Sequence, residues 1–221
     1  MTTSPFETLT RNALGIWSDT SAGSSPLSDA NRFLPLTTGN GINLHSIDMH
    51  CDDPGDFSLV PVVEQTSLKR NGVTRLRDYS DQSFIRKHVA DPFAATRDSC
   101  QPIVETVQAR MIDQYIIYDR LILPRKVTTG RAAWAVSIVL PRLILPAVSP
   151  SRRVTCREND VLDRLMLGRT AKQIAAELGL SQRTVEHRIQ DLKLKYRADT
   201  TPHLIALAIG SRLSEQGQNG G

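Results

Sequence analysis

Arg183, Glu186, His187 and Gln190 share one side of any helix that turns Val185, Ile189 and Leu192 inward at 100° per residue. A guanidinium, a carboxylate, an imidazole and an amide are side-chain groups that can pair with base edges in a major groove. Lys172, Thr184, Arg188, Lys193 and Lys195 surround that set and are the candidate phosphate contacts. Little else has a spacing suited to chemistry. The chain has no P-loop, no GxGxxG after a strand, no GxSxG, and no His and carboxylate spacing typical of a metal site. His45, His50 and His88 are scattered and read as surface or core histidines. Cys51, Cys100 and Cys156 are odd in number and lack a CxxC, so reduced, partly buried thiols are expected rather than a disulfide framework or a zinc site. No catalytic activity, metal or cofactor is expected.

The elements that must hold this polar side outward follow from the flanking residues. Thr155 is placed to cap a helix whose Val161, Leu162, Leu165 and Met166 form one stripe, stopped by Gly168. Thr170 caps a short second helix with Ala171, Ile174, Ala175 and Leu178 inward and Gly179 at its end, and Ser181 caps a third. Two helices joined by a short glycine turn are a helix-turn-helix. Ala175 is small where those helices cross, Gly179 supplies the positive φ of a tight turn, and Val185 plugs the angle between them. A last helix restarts with Thr201 as cap and Pro202 in its first position. Its Leu204, Ile205, Leu207, Ala208, Ile209 and Leu213 make more apolar surface than one side of a small domain covers. Leu204, Ile205 and Ala208 are the expected contact with a second copy, which would set two recognition helices about 34 Å apart, one duplex turn. Packing on the N-terminal part is the alternative.

The segment VTCRENDVLDRLMLGRTAKQIAAELGLSQRTVEHRIQDLKLKYRAD resembles the DNA-binding domain of LuxR-type (GerE-like) transcription regulators. The residues that carry the resemblance are Arg157-Glu158, Gly168, Lys172, Ile174-Ala175, Leu178-Gly179, Ser181, Thr184-Val185 and Lys195. It implies that Glu186, His187 and Gln190 face bases, that Lys172 and Lys195 contact phosphates, and that the last helix pairs two subunits. Four positions depart from the family pattern. Cys156 stands for a usual Pro, Glu186 for a frequent Lys, Arg188 for His, and Tyr196-Arg197 for Leu-Gly. Glu186 favours a cytosine amino group over a phosphate, Arg188 can keep a backbone contact, and Tyr196-Arg197 implies a different end to the recognition helix.

Upstream the patterning changes to short apolar runs. Residues 1–30, with SDTSAGSSPLSD, read as a flexible arm carrying one short helix near 5–17. Within 31–146, a strand over 57–65 is interrupted by Pro61 and so belongs at an edge. Phe84, Ile85, Val89 and Phe93 give a helix over 81–96, kinked or ended by Pro92. Three strands over 102–111, 114–124 and 132–145 are joined closely enough for an antiparallel meander. That order, with YDRLILP, a turn at Gly130 and AAWAVSIV, resembles a PAS-like sensor domain. Some other small α+β fold is the alternative. Trp134 and Tyr118 are candidates to line a pocket there or to pack in its core. Residues 147–153 read as a linker, 154–213 as the helix-turn-helix domain and 214–221 as a disordered tail. The expected fold is thus an α+β PAS-like domain, an antiparallel sheet with helices, followed by an all-α four-helix helix-turn-helix domain.

Composition and charge bound the function. With 40% hydrophobic and 23% charged residues the chain can form a core. Residues 1–150 hold 15 Lys/Arg and 15 Asp/Glu, whereas 151–213 hold 12 and 7, an excess of +5 that Glu215 reduces to the net charge of +4, so all the excess positive charge lies in the last third. A basic module joined to a neutral one suits a polyanionic partner, here double-stranded DNA. No apolar run approaches the roughly 20 residues of a membrane span, and MTTSPFETLT has no signal-peptide features, so a cytoplasmic location and no membrane partner are expected. The early acidic cluster of a receiver domain is missing, as is the Trp/Tyr/Asp constellation of acyl-homoserine-lactone-binding relatives. The expected protein is a homodimeric, sequence-specific transcription regulator whose PAS-like domain senses a small molecule or a protein partner. Two alternatives are a protein-interaction module acting on another regulator, and a promoter-reading sigma-factor region, for which no second promoter-binding segment is visible.

Overall fold

The computed structural model describes residues 4–21, 25–39, 41–65 and 72–218. The chain divides into two compact units, Met1–Gln108 with Ile117–Leu143, and Ala109–Ile116 with Ile144–Gly221.

The first unit is built on an antiparallel five-stranded sheet in the order β2-β1-β5-β4-β3. The strands are β1 Asn43–Asp48, β2 Ser58–Val63, β3 Ile103–Met111, β4 Gln114–Pro124 and β5 Trp134–Pro146. The last three are the expected meander, and β2 lies at an edge, where Pro61 sacrifices no central ladder bond. Strand β1 is paired on both sides, with Leu44 opposite Val63 and Ile138. Its sequence gives no apolar alternation, because Asn43, His45 and Ser46 are buried polar residues.

One sheet face lies under α1 (Pro5–Ser18) and α2 (Pro26–Asn31). Glu7 Oε2 accepts from the Ser4 N–H at 3.0 Å and Pro5 opens α1, a local start signal. Leu9 and Ala13 are buried in a cluster with Leu44, Leu121 and Val136. The helical part of the arm expected over residues 1–30 is therefore folded onto the sheet, because the i, i+4 spacing of Leu9 and Ala13 gives it an apolar side. The other face carries Tyr118, Arg120 and Ile122, with the Arg120 guanidinium 5.5 Å from the Phe93 ring centre of α4 (Asp91–Ser99). Helix α3 (Gln82–Ile85) reaches α4 through a wide π-type turn at Arg86–Ala90, since Pro92 has no N–H to offer the carbonyl of His88. The thiols are free, with Cys51 and Cys156 exposed and only Cys100 partly covered.

The second unit is helical, with α5 Cys156–Met166, α6 Ala171–Leu178, α7 Gln182–Tyr196 and α8 Thr201–Gln218. Val161, Leu162, Ile174, Val185, Leu192 and Leu204 are fully buried in one core, each contributing roughly 1.5–3 kcal/mol. Residues 147–153 are not a free linker. The Ala147 N–H donates to the Asp113 carbonyl at 2.7 Å, Ser211 Oγ to the Val148 carbonyl at 2.6 Å, and the Ser151 N–H to the Lys195 carbonyl at 2.8 Å. Thr200 rather than Thr201 caps α8, its hydroxyl accepting from the His203 N–H at 3.2 Å. Helix α8 continues through the expected tail as far as Gln218, with Ser214 buried; residues 219–221 lie outside those described. Among the described residues, no helix is long and apolar enough to cross a membrane.

Candidate nucleic-acid interface

The turn between α6 and α7 is fixed by backbone chemistry. Gly179 takes the left-handed conformation (φ 64°), the Leu180 N–H donates to the Ala175 carbonyl at 2.9 Å, and Ser181 Oγ accepts from the Thr184 N–H at 3.1 Å. Ala175 and Val185 are buried at the crossing, with 6% and 0% exposure. Capping boxes open α5 and α6, where Glu158 reaches back to the Thr155 N–H at 2.7 Å and Gln173 to the Thr170 N–H at 2.9 Å. Glu177 of α6 braces α5 and the turn after it, 3.1 Å from Arg164 Nε and 3.2 Å from Arg169 Nε.

Arg183, Glu186, His187 and Gln190 are all exposed on α7, opposite the buried Val185, Ile189 and Leu192. Two of the four are steered by neighbours one turn away. Gln182 Nε2 donates to Glu186 Oε1 at 2.8 Å, and His187 Nδ1 lies 3.2 Å from Asp191 Oδ2. Gln182 and Asp191 are absent from the sequence-derived set, although their i, i+4 spacing is the signal that reveals them.

The flanking residues divide. Lys172 is exposed, and Arg188 and Lys193 are half-buried, Arg188 with a 3.5 Å contact from Nη1 to the Arg157 carbonyl. The Thr184 hydroxyl is 2.8 Å from Ser181 Oγ and is part of the cap. Lys195 is a correction to the expected phosphate set, because its Nζ lies 2.6 Å from Glu158 Oε2 and donates to the Arg153 carbonyl at 3.0 Å. Burial by itself would raise the Glu158 carboxyl, but hydrogen bonds from Lys195 and Thr155 outweigh it and hold the group below the usual range. Lys195 thus compensates a covered carboxylate. Helix α7 ends with Arg197 itself in the left-handed conformation (φ 55°), the Ala198 N–H closing on the Lys193 carbonyl at 2.8 Å. On α8 a second correction applies, since Leu204 and Ala208 are both 0% exposed inside the domain core and leave only Ile205, half-buried, of the expected dimer residues. Among the described residues no group of three or more His, Cys, Asp or Glu is placed to hold a metal ion.

Capped helices meeting at a glycine turn, with a polar face held outward on the second, define a helix-turn-helix domain. Residues 153–208 match the family model of bacterial regulatory proteins of the luxR family, and the C-terminal domain belongs to that family. A stretch of 72 residues is 35% identical to the transcriptional activator protein BjaR1 of Bradyrhizobium diazoefficiens, covering 33% of this chain and 30% of that protein. Two solved structures are similar over greater length but only loosely. They are VqmA of Vibrio cholerae, with 17% identity, 83% of this chain, 88% of that chain and a TM-score of 0.33, and SdiA of Escherichia coli, with 11%, 95%, 99% and 0.28.

Proposed function

We propose that the protein is a homodimeric, cytoplasmic transcription regulator that reads double-stranded DNA in the major groove with α7. The observation that carries this reading is the exposed set Arg183, Glu186, His187 and Gln190 on a helix whose opposite side is locked into the core. Arg183 and Gln190 offer the guanidinium and amide that pair with guanine and adenine edges, while Glu186, an acceptor only, selects a cytosine amino group. Lys172, Thr184, Arg188 and Lys193 supply the phosphate contacts that fix register. The half-buried side of α8 that carries Ile205, Ile209 and Leu213 pairs the two subunits. The N-terminal PAS-like domain senses a small molecule or a protein partner.

Selection of genomic duplex fragments by the purified full-length protein, followed by titration across salt, tests the reading. Selected duplexes are expected to bind about 10³-fold or more tightly than random ones, with log K falling against log salt by about 0.9 per neutralised phosphate. No preference for any duplex over heparin would overturn it and favour a protein-interaction module.

A further inference from the structure

Three arginines that precede or open α5 stand outside the phosphate set proposed above. Arg152, Arg153 and Arg157 are all exposed, and among the described residues none of their guanidinium groups has a hydrogen-bond or ion-pair partner. Three other arginines of the C-terminal domain are neutralised, Arg164 and Arg169 by Glu177 and Arg212 by Asp163. The carboxylate next to the unpaired group in sequence, Glu158, is taken up by Lys195 Nζ at 2.6 Å. Like charges left unpaired within one short segment repel each other, so the arrangement costs the free protein stability and favours an anionic partner.

The backbone that carries these charges is fixed rather than loose. The Ser151 N–H and Oγ both donate to the Lys195 carbonyl, at 2.8 and 3.0 Å, and the Arg153 carbonyl accepts from Lys195 Nζ at 3.0 Å. Arg152 is thus bracketed by ties to one residue of α7. Arg157 lies beside the same helix, its carbonyl 3.5 Å from Arg188 Nη1. Arg188 and Lys195 are seven residues apart and share one flank of α7, so the three unpaired arginines are carried along that flank.

We propose that Arg152 and Arg153, continued by Arg157, bind phosphates of the DNA strand that borders the groove entered by α7. In helix-turn-helix proteins the N-terminal residues of the second helix meet base edges. Lys195 lies about 7.5 Å beyond Gln190 along the axis, in a groove about 12 Å wide, so the end of α7 and the segment tied to it approach the bordering backbone. Because that segment is already ordered, binding bears little further cost of fixing it. The inference rests on the DNA-binding reading above and adds to it contacts supplied from outside the two helices of the motif.

Fluorescence anisotropy of the full-length protein on a selected and a random duplex, between about 50 and 200 mM salt, tests it. With Arg152→Gln and Arg153→Gln combined, two phosphate contacts are removed and the salt slope is expected to be shallower by about 1.8. Across that range the parent then loses about 12-fold more affinity than the double variant, alike on both duplexes. Arg152→Lys with Arg153→Lys is expected to keep the slope, since a phosphate accepts either cation. Arg157→Gln is expected to flatten it by about 0.9, whereas Arg164→Gln, which takes the same charge from farther along α5, leaves it unchanged. An unchanged slope in the double Gln variant, a loss confined to the selected duplex, or an equal change in Arg164→Gln overturns the proposal. The two readings fail separately. A parent that prefers selected duplexes while the double variant keeps its slope removes the arginine contacts alone. A parent that binds all duplexes alike, with the slope still shallower in the double variant, removes the sequence-reading role alone, and absence of duplex binding removes both.

Discussion

Lys195 Nζ lies 2.6 Å from Glu158 Oε2, joining the last turn of α7 to the first turn of α5. Both side chains are largely covered, at 17% and 11% exposure, so the pair acts in a medium where removing one partner strands the other. Lys195→Met is expected to destabilise the C-terminal domain by about 1–3 kcal/mol, measured by urea unfolding. It is also expected to leave the salt slope of duplex binding unchanged, because the Lys195 ammonium is already engaged by Glu158 Oε2 and the Arg153 carbonyl. A slope shallower by about 0.9 would restore the phosphate role.

The same pair gives an acid dependence. Glu158 is held below its unfolded value, so its stabilisation is fully present above the unfolded carboxylate pKa, about 4.3, and is lost as pH falls through the lower folded value. Glu158→Gln is expected to lower stability near neutral pH and to flatten the fall on the acid side. Unfolding midpoints between about pH 3 and 7 check this. A variant as acid-sensitive as the parent would show that the shift is carried by another group.

Arg197 closes α7 in a left-handed position (φ 55°), the conformation that glycine adopts at least cost. A side chain there costs roughly 1 kcal/mol relative to glycine, partly offset by the greater freedom glycine gives the unfolded chain. Arg197→Gly is expected to raise the unfolding midpoint by the equivalent of about 0.5–1 kcal/mol. An unchanged or lower midpoint would mean that the guanidinium makes a compensating contact.

How much of this was legible in the sequence follows from where the signals are local. Caps at Thr155, Thr170 and Ser181, the glycine at 179 and the stripe of Val185, Ile189 and Leu192 act within one or two turns, and each is found in place. Strand β1 was hidden because Asn43, His45 and Ser46 are buried in the sheet as polar residues, which only its two neighbours can compensate. Trp17 reads as part of a flexible arm because its partner, the Pro124 carbonyl, is 107 residues away. Lys195 and Leu204 were misplaced for a related reason. A lysine beside a basic face and a leucine in an apolar helix look available until Glu158, for the one, and the shared helical core, for the other, are brought against them.

The proposed phosphate and base contacts are separable by mutation. Lys172→Ala is expected to weaken binding to selected and random duplexes by the same factor and to reduce the salt slope by about 0.9. Gln190→Ala and Glu186→Ala are each expected to cost about 1–3 kcal/mol on the selected duplex, to spare random DNA, and to relax one operator position. Competition binding across single-base variants of the selected site measures both. Equal losses on specific and random DNA for all three would remove the division of roles between Lys172 of α6 and the two residues of α7.

Gly210 lies inside α8, where glycine is ordinarily about 1 kcal/mol worse than alanine, so its presence there needs a spatial reason. A Cβ at this position would fall 2.1 Å from the Pro146 carbonyl oxygen and 3.4 Å from Leu145 Cβ, and backbone cannot swing aside as a flexible side chain can. Helix α8 is thus held against the segment that enters the C-terminal unit at a spacing only glycine permits, and Ser211 Oγ fastens the next residue to the Val148 carbonyl at 2.6 Å. Gly210→Ala is expected to destabilise by about 2 kcal/mol or more, steric cost exceeding the gain in helix propensity. Gly15 on the exposed side of α1 has nothing within 4 Å of the same position, so Gly15→Ala is expected to stabilise by about 0.5–1 kcal/mol. Thermal unfolding of the two variants side by side therefore gives opposite signs if the close approach governs Gly210, and the same sign if helix propensity alone does.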